Sequence, residues 1–215
     1  MKRGFSLIEL LVVISVIALL VSILLPFVAR ARRQAKVVAV NAELRQVGLA
    51  LEMYMSEHEG KVPPTRKDCT MGWADHQLPP ELVEGGYLPA PDDAVFMSAG
   101  MEDRFNPGHT YKYWAVGELI QNRRYIPMIK ASLQVPSGFP EYEGAPREDV
   151  KYEDPDTSPV TWVVFSTGPN YDPWRTLKVL NGPVPKRTWY DPQENTGIIV
   201  RMRLREGRHI GTFGE

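Results

Sequence analysis

Residues 5–29 read Phe5-Ser6-Leu7-Ile8-Glu9-Leu10-Leu11-Val12-Val13-Ile14-Ser15-Val16-Ile17-Ala18-Leu19-Leu20-Val21-Ser22-Ile23-Leu24-Leu25-Pro26-Phe27-Val28-Ala29. Every residue in this run except Glu9 is uncharged. The run exceeds the ~20 apolar residues that a helix needs to cross a bilayer. A carboxylate at the centre of such a helix costs about 2.5–3.5 kcal/mol on insertion scales, and less near its end, where Glu9 lies. A charge kept at that cost invites a partner of opposite sign. The bland alternative is that Glu9 snorkels to the interface. A secretory signal peptide fits less well, because its apolar region is only about 7–15 residues long. Ala29-Arg30-Ala31 does offer an A-x-A pattern, but arginines surround it and bulky Phe27 and Val28 precede it.

Met1-Lys2-Arg3-Gly4 followed by Phe5-Ser6-Leu7-Ile8-Glu9 resembles the N-terminus of type IV prepilins and type II secretion pseudopilins. The resemblance implies a leader over residues 1–4, cleavage between Gly4 and Phe5, and N-methylation of Phe5. It also implies a role for Glu9 in assembly, pairing with the new amine of a neighbouring subunit's Phe5. Two costly charges become far less costly when paired. Pro26 falls where these proteins often carry a kinking proline. The implied partners are other copies and related pilin subunits, a prepilin peptidase/methyltransferase and an inner-membrane assembly platform. The implied location is the bacterial inner membrane, single-pass, with the C-terminal domain periplasmic, and a filament after assembly. The charges alone point the other way: Lys2 and Arg3 precede the span, while Arg30, Arg32, Arg33 and Lys36 follow it, so a positive-inside count favours the opposite orientation.

Beyond the span, Val37, Val40, Leu44, Val47, Leu51 and Tyr54 or Met55 recur at spacings of three and four, one helical stripe expected in a core. The expected helix runs from Phe5 to about Glu59, bent only at Pro26, with Gly60 as its cap and Pro63-Pro64 preventing continuation. At 1.5 Å per residue it would be on the order of 80 Å long. Asn41-Ala42-Glu43-Leu44-Arg45-Gln46-Val47-Gly48-Leu49-Ala50-Leu51-Glu52-Met53-Tyr54 is similar to the corresponding helix of pseudopilin-like proteins. The organisation expected is a leader (1–4), a transmembrane half-helix (5–29), an amphipathic half-helix (30–60) and a loop-rich globular domain (61–215). The fold class expected is α+β and pilin-like, the long helix packing on a small antiparallel sheet.

Composition shifts sharply at Gly60. Of 19 prolines only Pro26 precedes it, and all five tryptophans follow it. Strands are expected at His109–Val116, Val160–Thr167 and Gly197–Arg205. In the last, Ile198, Val200, Met202 and Leu204 alternate with Ile199, Arg201, Arg203 and Arg205, giving one basic face that reads as solvated or as an inter-subunit contact. Pro79–Asp93 and Pro136–Pro159 read as long surface loops. A formal charge of −1 over 215 residues carries no nucleic-acid signature. Many major type IV pilins close a C-terminal loop with a disulfide. The single Cys69 cannot do so, which inclines the reading toward a pseudopilin or minor pilin.

Phe165-Ser166-Thr167-Gly168-Pro169-Asn170-Tyr171-Asp172 resembles the S-x-G-P-[DN] segment of major pseudopilins, and Tyr190–Gly197 resembles the turn that leads into their final strand. In those proteins this region often folds around calcium, an ion that takes six to eight oxygens. Asn170, Asp172, Asp191 and Asn195, with Glu194, are the calcium candidates here, against ordinary turn chemistry. Cys69, Asp75 and His76 lie close in sequence, but no second ligand pair at a zinc spacing accompanies them. His58, His109 and His209 are isolated. Phosphate loops, H-E-x-x-H and G-x-S-x-G are absent. No catalytic residue and no cofactor beyond that possible calcium are expected. The chain reads as a structural subunit, itself the substrate of the peptidase and methyltransferase. The rival reading is a single-span envelope protein whose outer domain binds a ligand, such as a glycan, through its tryptophans.

Overall fold

The computed structural model describes residues 7–67, 76–91, 97–143, 148–170 and 182–214. Helix α1 spans Leu7–Glu57 and passes through Pro26 without a break. The chain divides into two compact units, Met1–Val38 and Ala39–Glu215. The first is a helical segment whose side chains, from Leu7 to Val28, stand exposed. The second holds the rest of α1 and all the strands.

In the second unit the expected stripe is core. Val40, Leu44, Val47 and Leu51 are fully buried, and Met55 rather than Tyr54 completes the row. The helix stops two residues earlier than expected. Glu59 and Gly60 both turn to positive φ, and the Gly60 N–H donates to the Met55 carbonyl at 2.9 Å, which satisfies an orphan acceptor of the last turn.

The strands are β1 (Thr65–Lys67), β2 (Lys112–Ala115), β3 (Gly117–Gln121), β4 (Arg124–Ala131), β5 (Leu133–Val135), β6 (Val150–Tyr152), β7 (Val160–Ser166), β8 (Ile199–Leu204) and β9 (His209–Gly211). Among the described residues they form three small sheets, ordered β1-β3-β4, β2-β7-β8-β9 and β5-β6. All three strands expected from sequence meet in the second of these. Its pairs are all antiparallel, whereas β1 runs parallel to β3. The Thr65 hydroxyl joins the first two sheets, donating to the Ala115 carbonyl and accepting its N–H, both at 2.8 Å.

The β2-β7-β8-β9 sheet is covered on both faces. Val163, Phe165, Val200, Met202 and Leu204 pack into a cluster with Leu133, Val135, Phe139, Val184 and Ile198. Alternation sends Trp162, Val164, Arg201 and Arg203 to the opposite face, against α1. This corrects the expectation of a solvated or inter-subunit basic face on β8. Arg203 Nε lies 2.9 Å from Glu52 Oε1 of α1, so its charge is met within the same chain. The two expected loops also carry structure. Short helix α2 (Glu81–Glu84) buries Leu82 in the first, and β6 lies in the second.

Candidate functional site

Gly4 and Phe5 lie outside the described residues; Glu9 falls in the first turn of α1. The segment from Leu7 contains an apolar stretch long enough to cross a membrane, with a mean hydropathy of 3.0. Its serines suit such a setting. Ser15 Oγ donates to the Leu11 carbonyl at 2.8 Å and Ser22 Oγ to the Leu19 carbonyl at 2.7 Å. Each hydroxyl is therefore satisfied inside the helix, without water. A carboxylate has no proton to give back to a carbonyl in this way. Glu9 is thus the group whose chemistry sets this segment apart from a plain apolar anchor.

Between β7 and β8, the calcium candidates Asn170, Asp191 and Asn195 come together, with Glu194 in the same turn, while Asp172 lies outside the described residues. Asn170 Nδ2 donates to the Asn195 carbonyl at 3.3 Å, and Tyr190 Oη donates to Asn195 Oδ1 at 3.2 Å. Asp191 Oδ1 accepts the Gln193 N–H at 2.7 Å, and the Asn195 N–H reaches the Asp191 carbonyl at 2.8 Å. Asn170 and Asn195 both adopt positive φ, 55° and 51°. This is turn chemistry in which the side-chain oxygens already close the loop. No group of three or more His, Cys, Asp or Glu able to hold a metal occurs among the described residues.

A residue that sequence reasoning missed organises the neighbouring S-T-G segment. Asp103 is fully buried. Its Oδ1 accepts Ser166 Oγ at 2.6 Å and the Phe105 N–H at 3.0 Å, while Oδ2 accepts the Thr167 N–H at 2.9 Å. Burial pushes its carboxyl pKa up, partly offset by these hydrogen bonds and by Lys112. Nothing in Glu102-Asp103-Arg104-Phe105-Asn106-Pro107-Gly108, a polar turn by composition, marks Asp103 as interior. Beyond it the backbones nearly touch: a Cβ on Gly168 would fall 1.8 Å from the Gly197 carbonyl oxygen. Both glycines adopt positive φ, 68° and 107°, so two separate constraints demand them.

The remaining candidates do not converge. Cys69 and Asp75 lie outside the described residues, and His76 is buried and stacked on Trp114 at 3.8 Å. His58 and His109 each contact a backbone carbonyl, of Tyr54 and Pro107 respectively. Trp162 is fully buried, and Trp114 and Trp189 pack against the core. The described tryptophans are thus structural, which weakens the glycan-binding rival; Trp73 and Trp174 lie outside the described residues.

Comparison with known proteins adds one match, to the prokaryotic N-terminal methylation motif over residues 1–25. Neither the curated proteins nor the solved structures gave a match. That motif sits on the Gly4-Phe5 junction and Glu9, at the head of a long apolar helix that continues into an α+β domain. Over those residues the chain is similar to type IV prepilins and pseudopilins, and the rest of its architecture is compatible with a pilin-like α+β fold.

Proposed function

We propose that the chain is a structural subunit of a type IV pilus or a type II secretion pseudopilus. A peptidase cleaves after Gly4, a methyl group is added to the Phe5 amine, and the subunit waits in the inner membrane with residues 61–215 on the periplasmic side. Subunits then polymerise through their apolar helices. Glu9 sets the axial register by pairing with the Phe5 amine of a neighbour. A carboxylate in hydrocarbon costs less when it meets a positive charge, so a neighbour's Phe5 amine at Glu9 favours one alignment over its slipped alternatives. Catalysis has no part in this role. The observation that carries the reading is the glycine–phenylalanine junction with Glu9 four residues on, inside the methylation-motif match.

Mass spectrometry of the native N-terminus tests it. A mature chain beginning at methylated Phe5 is the expected result. An intact Met1 would instead make the chain a plain membrane anchor for its domain, and a start near Arg32 would make it a secreted protein.

A further inference from the structure

His209, isolated in the sequence, sits on β9 between charged side chains of two other elements. Its Nδ1 faces Arg201 Nη2 of β8 at 3.3 Å, and its Nε2 lies 3.0 Å from Glu52 Oε1 of α1. The ring tilts against Trp162 of β7, with centroids 5.4 Å apart. A guanidinium offers only N–H donors, so Nδ1 accepts and carries no proton. The ring proton therefore sits on Nε2 and is donated to Glu52. Both contacts are met at once by the neutral ring, and not by the imidazolium.

Two features make this arrangement sensitive to a proton on Nδ1. First, Arg201 depends on that nitrogen. Its Nε is buried with no hydrogen-bond partner among the described residues. Protonating His209 turns its acceptor into a facing donor and leaves a half-buried guanidinium unmatched, a costly state. Second, positive charge is already in surplus around the ring. Arg201 and Arg203 on β8 and Arg45 on α1 are set against Glu52, whose Oε1 is shared with Arg203 Nε at 2.9 Å. An imidazolium adds a further cation to that group. The arginines cannot shed their protons, so the ring has to move. Its side chain is 23% exposed, so solvent reaches it.

The element able to yield is β9. It is three residues long and lies at the edge of its sheet, where local stability is lowest. Two hydrogen bonds bracket it on β8. The Leu204 N–H donates to the Arg208 carbonyl at 2.8 Å and the Thr212 N–H to the Val200 carbonyl at 3.0 Å.

We infer that His209 is an acid-released latch: neutral, it holds β9 to Arg201 and to α1, and protonated, it lets that strand leave the sheet. Opening frees the chain from Arg208 onward and uncovers the outer edge of β8. The latch lies within the unit Ala39–Glu215 and does not depend on the filament role proposed above.

Amide exchange of the full-length chain in detergent micelles, read by mass spectrometry, tests the latch. The readout is the protection of the Leu204 and Thr212 amides, corrected for intrinsic rate, at about pH 7.5 and 5.5, either side of the ordinary histidine pKa. Wild type should lose about tenfold in protection on acidification, the effect of one lost hydrogen bond to a charged group. His209→Gln keeps a neutral acceptor for Arg201 and a donor for Glu52, and should stay protected at both values. His209→Lys carries a permanent charge and no acceptor, and should be open at both. Wild-type protection that ignores pH would overturn the latch. So would an equal loss in His209→Gln, which would assign the effect to another group such as His76. A loss shared by the α1 amides of Leu44 and Val47 would make the event global unfolding, and a closed His209→Lys would remove charge as the trigger; either result also sinks the proposal.

Discussion

Gly48 of α1 lies directly against Trp162 of β7. A Cβ at position 48 would come within 3.1 Å of Trp162 Cη2 and 3.2 Å of Arg201 Nε. The missing side chain is what lets helix and sheet approach, with the fully buried indole filling the space. In an open helix, glycine to alanine gains roughly 1 kcal/mol. At this site the gain should vanish, because the indole cannot give way. Gly48→Leu should cost about 1–3 kcal/mol or more through overpacking. Thermal unfolding of the two variants checks both signs, and a stabilised Gly48→Ala would show that the crossing is looser than described.

Glu52 of α1 is shared by two side chains of the sheet, with Arg203 Nε at 2.9 Å and His209 Nε2 at 3.0 Å, while His209 Nδ1 faces Arg201 Nη2 at 3.3 Å. Burial and the nearby Arg45 hold the Arg201 pKa below its usual value. One carboxylate thus balances a cationic face. Glu52→Gln should cost about 1–3 kcal/mol, the range for leaving a partly buried charged partner unmatched. Denaturant unfolding measures this; a change under a few tenths of a kcal/mol would mean the arginines are solvated after all.

His76 is fully buried against Trp114, and burial together with Lys112 and Lys67 lowers its pKa to about 3. The folded state therefore holds it neutral, whereas the unfolded chain protonates near pH 6.5. Stability from this group is intact above that value and is lost as pH falls toward 3. Between pH 7 and pH 5 the loss should reach about 2 kcal/mol. His76→Asn tolerates the residue's positive φ of 57° and should abolish that part of the slope, although it forfeits the stack.

Asp103 acts in the opposite sense. Its raised pKa means that the folded state binds a proton more readily than the unfolded one. Its titration therefore adds stability as pH falls, fully so below about 3.9, and loses it as pH climbs through the raised value. Asp103→Asn sets an amide against the donors Thr167 N–H and Ser166 Oγ–H, and should cost about 1–3 kcal/mol at neutral pH. The gap between wild type and variant should widen on acidification. A gap that narrows would assign Asp103 a lowered pKa instead.

Glu9→Val should still be cleaved and methylated, because the Gly4-Phe5 junction is untouched, yet should enter filaments poorly beside the wild type. Quantifying tagged variant and wild-type subunits in sheared filaments reads this directly. Equal incorporation would remove the pairing role from Glu9.

Local pattern carried much of the architecture. The apolar run, the three-and-four spacing from Val40 to Leu51, and the alternation in β7 and β8 are all short-range signals, and each of those elements forms where the pattern places it. The β3–β4 hairpin went unread because a cation occupies its turn in place of glycine and Pro127 interrupts its second strand. Asp103 was invisible for a different reason: a polar residue in a polar turn looks solvated until a distant strand end closes over it.

What the linear order of residues determined by itself is the N-terminal chemistry: a glycine junction, a phenylalanine and one carboxylate at fixed spacing in an apolar helix, since spacing along a helix needs no tertiary partner. Only the folded chain decided where the charges of β8 go. Alternation assigns Arg201 and Arg203 to a face, but whether that face meets water or a helix depends on contacts 151 and 157 positions apart, Glu52 with Arg203 and His209, and on a glycine at position 48 that lets the two layers close.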